Sequence, residues 1–283
     1  MPDTTQPDPK QQAEDALRSG DPKAALAHLT AAVKAAPNQV SLRIFLAQLL
    51  CVLGQWERAH TQLNVMADLD PSTGPMRETV GYAIRSELVR AKVFAGERTP
   101  MVVGDPEPWL AQLLESLQQQ AQGNQKLADE LATRAFDAAP TCSGVIDGVA
   151  FEWLADADSR LGPVLEACIK GQYYWVPFHR LLRVTFDAPE DLRDFVWAPA
   201  QLDFHDGGST VALVPTRYPG TAPGDDAGAL LARKTEWTNT GEERWIGIGQ
   251  RLFAADSGEY PLLAVRQIEF SAPGSAASSP ADG

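Results

Sequence analysis

The sequence predicts an α+β chain of two domains, short helical repeats followed by a mixed domain with antiparallel strands. Three observations predict it. A Gly/Ala/Leu/Pro pattern recurs 34 residues apart in the first half. Alternating runs rich in β-branched and aromatic residues, broken by Gly and Pro, fill the second half. Sixteen of the 22 aromatic residues lie beyond residue 140, so composition shifts where the pattern does. The expected divisions are a disordered stretch at 1–10, a helical domain at 11–140, an α+β domain at 141–270 and a disordered tail at 271–283.

Each helical element has a local cause. Gly20, Ala25, Leu29 and Pro37 are matched by Gly54, Ala59, Leu63 and Pro71, and again by Gly123, Ala128, Ala132 and Pro140. Gly ends a first helix in a left-handed cap, the small Ala lets two helices approach, and Pro stops the second helix. This period resembles a tetratricopeptide repeat. Leu42, Phe45, Leu46, Leu49 and Leu50 have the i, i+3, i+4, i+7, i+8 spacing of a helix face, as do Trp109, Leu110, Leu113, Leu114 and Leu117. Between them the spacing predicts one irregular helix at 76–95 and a loop from Gly96 to Pro108.

In the second half, a short strand is expected at Phe151–Ala155 and a hairpin of Val164–Lys170 with Tyr173–Val176 about Gly171-Gln172. Leu181–Phe186 alternates. Pro189–Phe195 reads as a short helix, with Pro at its start and acids in the first turn. Further hairpins are expected about Asp206-Gly207-Gly208 and about Asp256-Ser257-Gly258, the latter joining Trp245–Phe253 to Leu262–Phe270. Gly220–Gly228 reads as a mobile loop. Gly247 and Gly249 lack the third Gly and the helix of a nucleotide loop, and are expected to relieve crowding in a twisted strand.

The 283 residues carry 24 Lys+Arg against 37 Asp+Glu, a net charge of −13. That disfavours nucleic acid, whose phosphates need clustered cations. The longest mostly apolar stretch, Ile44–Leu53, is far too short to span a bilayer. The opening MPDTTQPDPKQQ has neither a basic nor an apolar signal region, and Cys51, Cys142 and Cys168 are widely spaced. A cytoplasmic chain with free thiols is expected. His28, His60, His179 and His205 show no metal-pair spacing, so no metal or other cofactor is expected. Asp156 and Asp158 are the one carboxylate pair that could serve acid–base chemistry, and the plainer reading is a solvated loop in which they cap Arg160 or a following helix.

Arg, Tyr and Trp are enriched in binding hot spots. Tyr173, Tyr174 and Trp175 form a run in which at least one ring must face away from its own domain, toward the helical domain or a partner. The candidate partner-contact residues are Tyr174, Trp175, Arg180, Arg217, Tyr218 and Trp237.

Seven stretches carry a family resemblance: Gly104–Leu110 (GDPEPWL), Phe151–Pro163 (FEWLADADSRLGP), Gly171–Phe178 (GQYYWVPF), Ala188–Asp194 (APEDLRD), Val214–Gly220 (VPTRYPG), Leu231–Trp237 (LARKTEW) and Gly258–Leu263 (GEYPLL). In this order they resemble the ImpE/TagJ (SciE-type) family of type VI secretion accessory proteins. The resemblance implies a cytoplasmic, non-enzymatic adaptor. It also implies binding to the N-terminal helix of the small contractile-sheath subunit and a link to the AAA+ ATPase ClpV. The alternatives are an oligomeric assembly scaffold without a peptide groove, and an enzyme using Asp156 and Asp158.

Overall fold

The computed structural model describes residues 8–105, 107–221, 224, 226–241 and 244–272. Residues 1–7 and 273–283, expected as disordered termini, lie outside the described residues, as do 222, 223 and 225 of the expected mobile loop. Helices α1 (Pro9–Arg18) and α2 (Pro22–Ala35) form one antiparallel pair, and α3 (Val40–Val52) and α4 (Trp56–Leu69) a second. The long α5 (Gly74–Phe94) follows, and after β1 (Met101–Val102) come α6 (Pro108–Ala121) and α7 (Gln125–Ala138). The repeat pattern does what its chemistry requires. Gly20, Gly54 and Gly123 hold φ of +84°, +63° and +82° where the first helix of each pair ends. Ala25, Leu29, Ala59, Leu63, Ala128 and Ala132 are all buried between helices.

The strands are β2 (Gly144–Ile146), β3 (Val149–Phe151), β4 (Leu154–Asp156), β5 (Val164–Ile169), β6 (Gln172–Pro177), β7 (Leu181–Phe186), β8 (Trp197–Phe204) and β9 (Ser209–Pro215). After the short helix α8 (Ala227–Leu230) come β10 (Thr235–Gly241), β11 (Arg244–Gly249), β12 (Leu252–Ala255), β13 (Gly258–Pro261) and β14 (Gln267–Phe270). Among the described residues the large sheet runs β1-β6-β5-β9-β8-β7-β14-β2-β3. It is antiparallel except where β1, from the helical stretch, pairs parallel to β6. Smaller sheets are β10-β11 and β13-β12-β4.

Strand β5 is buried along its whole length because both faces are covered. Leu165, Ala167 and Ile169 join the core inside the strand-rich part, with Val176, Phe253 and Ile268. Val164, Tyr173 and Trp175 join Trp109, Leu113 and Ala132 of the helices. Side chains alternate along a strand, so Tyr173 and Trp175 pack on the helical layer while Tyr174 turns the other way. The hairpin at Gly171-Gln172 forms as its sequence predicts.

Three expectations are corrected. Phe151–Ala155 is not one strand: the Glu152 and Trp153 amides donate to Asp256 Oδ1, at 2.7 and 3.3 Å, and the chain passes from the large sheet to a small one. Pro189–Phe195 is a 3₁₀ turn at Leu192–Phe195, held by the reciprocal Asp191/Asp194 cap. The hairpin about Asp256-Ser257-Gly258 forms, but beyond the Leu262 amide, which donates to the Arg251 carbonyl at 2.9 Å, the runs Trp245–Phe253 and Leu262–Phe270 do not pair with each other. The inward Arg251 interrupts the first run, β12 pairs with β13, and β14 pairs with β7 and β2. Gly247 is where crowding does decide the residue, since a Cβ there would lie 2.2 Å from the Tyr218 ring.

Candidate partner-binding surface

The face that a repeat pair would offer a ligand is already filled. Helix α3 packs against Leu192–Phe195. Val196, Trp197, Leu230 and Leu231 share one core with Leu42, Leu46 and Leu49. Trp197 lies 5.7 Å from Trp56, and its Nε1 donates to Glu87 at 3.0 Å. Arg217 Nη1 donates to the carbonyls of Val52 at 2.6 Å and Leu230 at 2.8 Å, the first of them an orphan acceptor at the α3 C-terminus.

Ion pairs fasten the two layers. Arg90 of α5 donates Nε and Nη2 to the two Glu166 oxygens at 2.7 and 2.8 Å, and the Tyr173 hydroxyl bonds the same carboxylate. Arg251 reaches Glu166 at 3.3 Å and Asp156 at 2.7 Å. Asp158 holds Arg160 through both its oxygens and accepts the Gly247 amide at 2.9 Å. Asp156 and Asp158 are thus not in a solvated loop. Both are buried and committed to arginines, although the expected Asp158–Arg160 contact is present.

Burial and the nearby Asp158 push the Asp156 carboxyl up from 3.8 to about 6, against the pull of Arg251. Burial works against ionisation of Glu166 too, but Arg90 and Arg251 hold it down at about 2. The signs are opposite. Between 3.8 and about 6 the folded state holds more protons at Asp156 than the unfolded state, so its contribution falls as pH rises. Glu166 contributes stability above 4.5 that is lost as pH falls toward 2. Urea midpoints should therefore fall from pH 4.5 to pH 6.5, and Asp156→Asn should flatten that slope.

The six candidate contact residues do not form one surface. Trp175 is 0% exposed, and its Nε1 donates to the Tyr173 hydroxyl at 2.8 Å. Tyr218 is buried against Gly247 and takes the Leu252 amide at 2.9 Å. Arg217 is only 7% exposed. All three side chains are taken up by internal packing: Trp175 faces the helical layer, Arg217 bonds the end of α3, and Tyr218 packs within the strand-rich part against Gly247 and Trp237. Arg180 is partly exposed and donates to Glu107 at 2.8 Å. Tyr174 is half-buried, and Trp237 is half-buried against the Tyr218 ring at 5.4 Å.

The accessible concavity lies where the helical layer ends. A groove of about 420 Å³ runs between the first half of α5 and the large sheet. Its floor is two cross-strand rows, one of Cys168, Leu213, Pro199 and Asp187, the other of Lys170, Val211 and Gln201. Its wall is Thr79 and Tyr82. Val211 is 74% exposed, the most exposed of the large apolar residues described. Cys168 hydrogen-bonds Ser86 at 2.9 Å, and burial raises its pKa, so it is a packed thiol rather than a reactive one. Among the described residues no cluster of His, Cys, Asp or Glu could hold a metal, and no helix is long and apolar enough to cross a membrane.

Comparison with known proteins fits this architecture. Residues 148–269 match the family model described as ImpE protein, and residues 16–76 match a tetratricopeptide repeat model. The type VI secretion system accessory component TagJ of Pseudomonas aeruginosa is 47% identical over 258 residues, covering 91% of this chain and 90% of that protein. The crystal structure of a Vibrio parahaemolyticus protein superposes with a TM-score of 0.85 at 24% identity, covering 92% of this chain and 97% of that one, a likeness of fold.

Proposed function

The chain belongs to the ImpE family, and from that premise we propose that it is a non-enzymatic, cytoplasmic accessory protein of a type VI secretion system. It acts as an adaptor that holds the N-terminal helix of the small contractile-sheath subunit and connects it to sheath turnover by the ClpV ATPase. The accessory role draws on the relative named as such an accessory component.

One observation carries the helix-holding part. The α5 layer stops over β9, so the sheet face beside it is open, with Val211 and Leu213 on its floor and the Tyr82 ring at its side. An amphipathic helix laid next to α5 continues the layer and buries that strip, with anchors at i, i+3 and i+4. Lys170 and Asp187, at either side of the floor, give the occupant one cation and one anion to match. The net charge of −13 speeds encounter with a basic segment at low salt.

The test is an anisotropy titration with the labelled first ~25 residues of the small sheath subunit of the same secretion cluster, long enough to form a helix when bound. Saturable binding at micromolar concentration, lost when the peptide's apolar face is mutated, is the expected result. Absence of binding up to about 100 μM, weaker than ~5.5 kcal/mol, contradicts it.

A further inference from the structure

Residues Arg217–Gly220 of the VPTRYPG stretch line a second cavity, of about 140 Å³, against the second half of α5. Trp56, Glu87, Arg90, Ala91, Arg217 and Tyr218 line it. The arginines around this junction are treated unequally. Arg90 has Glu166 at 2.7 Å, Arg251 has Asp156 at 2.7 Å, and Arg160 has Asp158 at 2.6 Å. Arg217 is as deeply placed, yet among the described residues no carboxylate lies within ion-pair distance of it. Its donors go to neutral carbonyls of Val52 and Leu230, which fix the guanidinium without cancelling its charge. Glu87 also lines the cavity, but it already accepts from Trp197 at 3.0 Å and from Arg90 at 3.4 Å. Arg90 is engaged by Glu166 and Glu87, so Arg217 is the lining cation without its own carboxylate, between the rings of Trp56 and Tyr218.

We propose that this cavity is a binding site for a small oxyanion, with Arg217 as its cation. A buried, uncompensated charge is costly, and an oxyanion in the cavity removes that cost. Burial pushes the Arg217 pKa down to about 10, against the partial support of the more distant Glu87 carboxylate. At ~30 Å³ per water, the space holds about four or five waters. It admits phosphate, sulfate or a single carboxylate group. The proposal concerns a different site from the helix groove and stands apart from the adaptor reading.

Inorganic phosphate is the probe, with the full chain and sodium chloride at matched ionic strength as the control. The unfolding midpoint should rise saturably with phosphate, and the Trp56 indole resonance should shift with the same concentration dependence. Ala91→Leu, which places a larger side chain in the cavity lining from α5, should abolish both effects. Acetate and sulfate arms separate a planar from a tetrahedral preference, and a response to either that Ala91→Leu removes supports the site. No effect beyond chloride for all three anions overturns the proposal. So does a midpoint shift that leaves the Trp56 resonance in place or persists in Ala91→Leu. If Ala91→Leu does not fold, the wild-type Trp56 shift decides alone.

Discussion

Replacing Glu166 with alanine should destabilise the protein by about 3–5 kcal/mol, because it takes the carboxylate from between two buried guanidiniums and leaves their charge under-compensated. Glu166 sits in mid-strand on β5 at zero exposure, between Arg90 on α5 and Arg251 before β12. Its removal leaves Arg90 with only the longer 3.4 Å contact to Glu87 and Arg251 with Asp156 alone, and it also frees the Tyr173 hydroxyl. The loss is large beside a typical total of about 5–15 kcal/mol. Urea unfolding followed by far-UV circular dichroism measures it. A loss below about 1 kcal/mol would mean that the two layers do not depend on this cluster.

Trp197→Ala should cost a similar amount, about 3–5 kcal/mol, through the cavity that it opens. The residue begins β8, yet its ring belongs to the helical core beside Trp56 and bonds Glu87. The strand-rich part thus supplies a side chain that the repeats need. One unfolding transition for the whole chain follows, and the variant should lower it by near- and far-UV signals together. Trp245→Ala is the control: that ring is 46% exposed, and its loss should have little effect. Two separated transitions in the wild type would contradict this account of the interface.

What the sequence reveals and what it hides follow from distance along the chain. The repeats are legible because Gly, Ala and Pro act on their own turn of helix. The Gly171 hairpin is legible for the same reason. Glu166 is not, since its partner Arg90 is 76 residues away and the run around it reads as apolar strand. Likewise β14 reads as a partner of its neighbour in sequence, whereas its register is set by β7 and β2. Arg217 and Trp175 have the composition of a binding hot spot because they form an interface, but it lies inside the chain. The groove was invisible: Lys170, Asp187, Gln201 and Val211 come from four strands, and no local spacing relates them. Its one cue is Val211, an apolar residue on one strand face with Ser209 and Leu213, which marks a face without saying what covers it.

The most direct test of the adaptor account is the affinity of Val211→Asp for the sheath-subunit peptide, measured beside the wild type. The side chain is 74% exposed, so the substitution should leave the urea midpoint within about 0.5 kcal/mol. If a helix lies in the groove, a carboxylate at the centre of its floor should weaken binding at least tenfold, or about 1.4 kcal/mol. Wild-type affinity in a folded Val211→Asp protein would contradict the groove as the partner site.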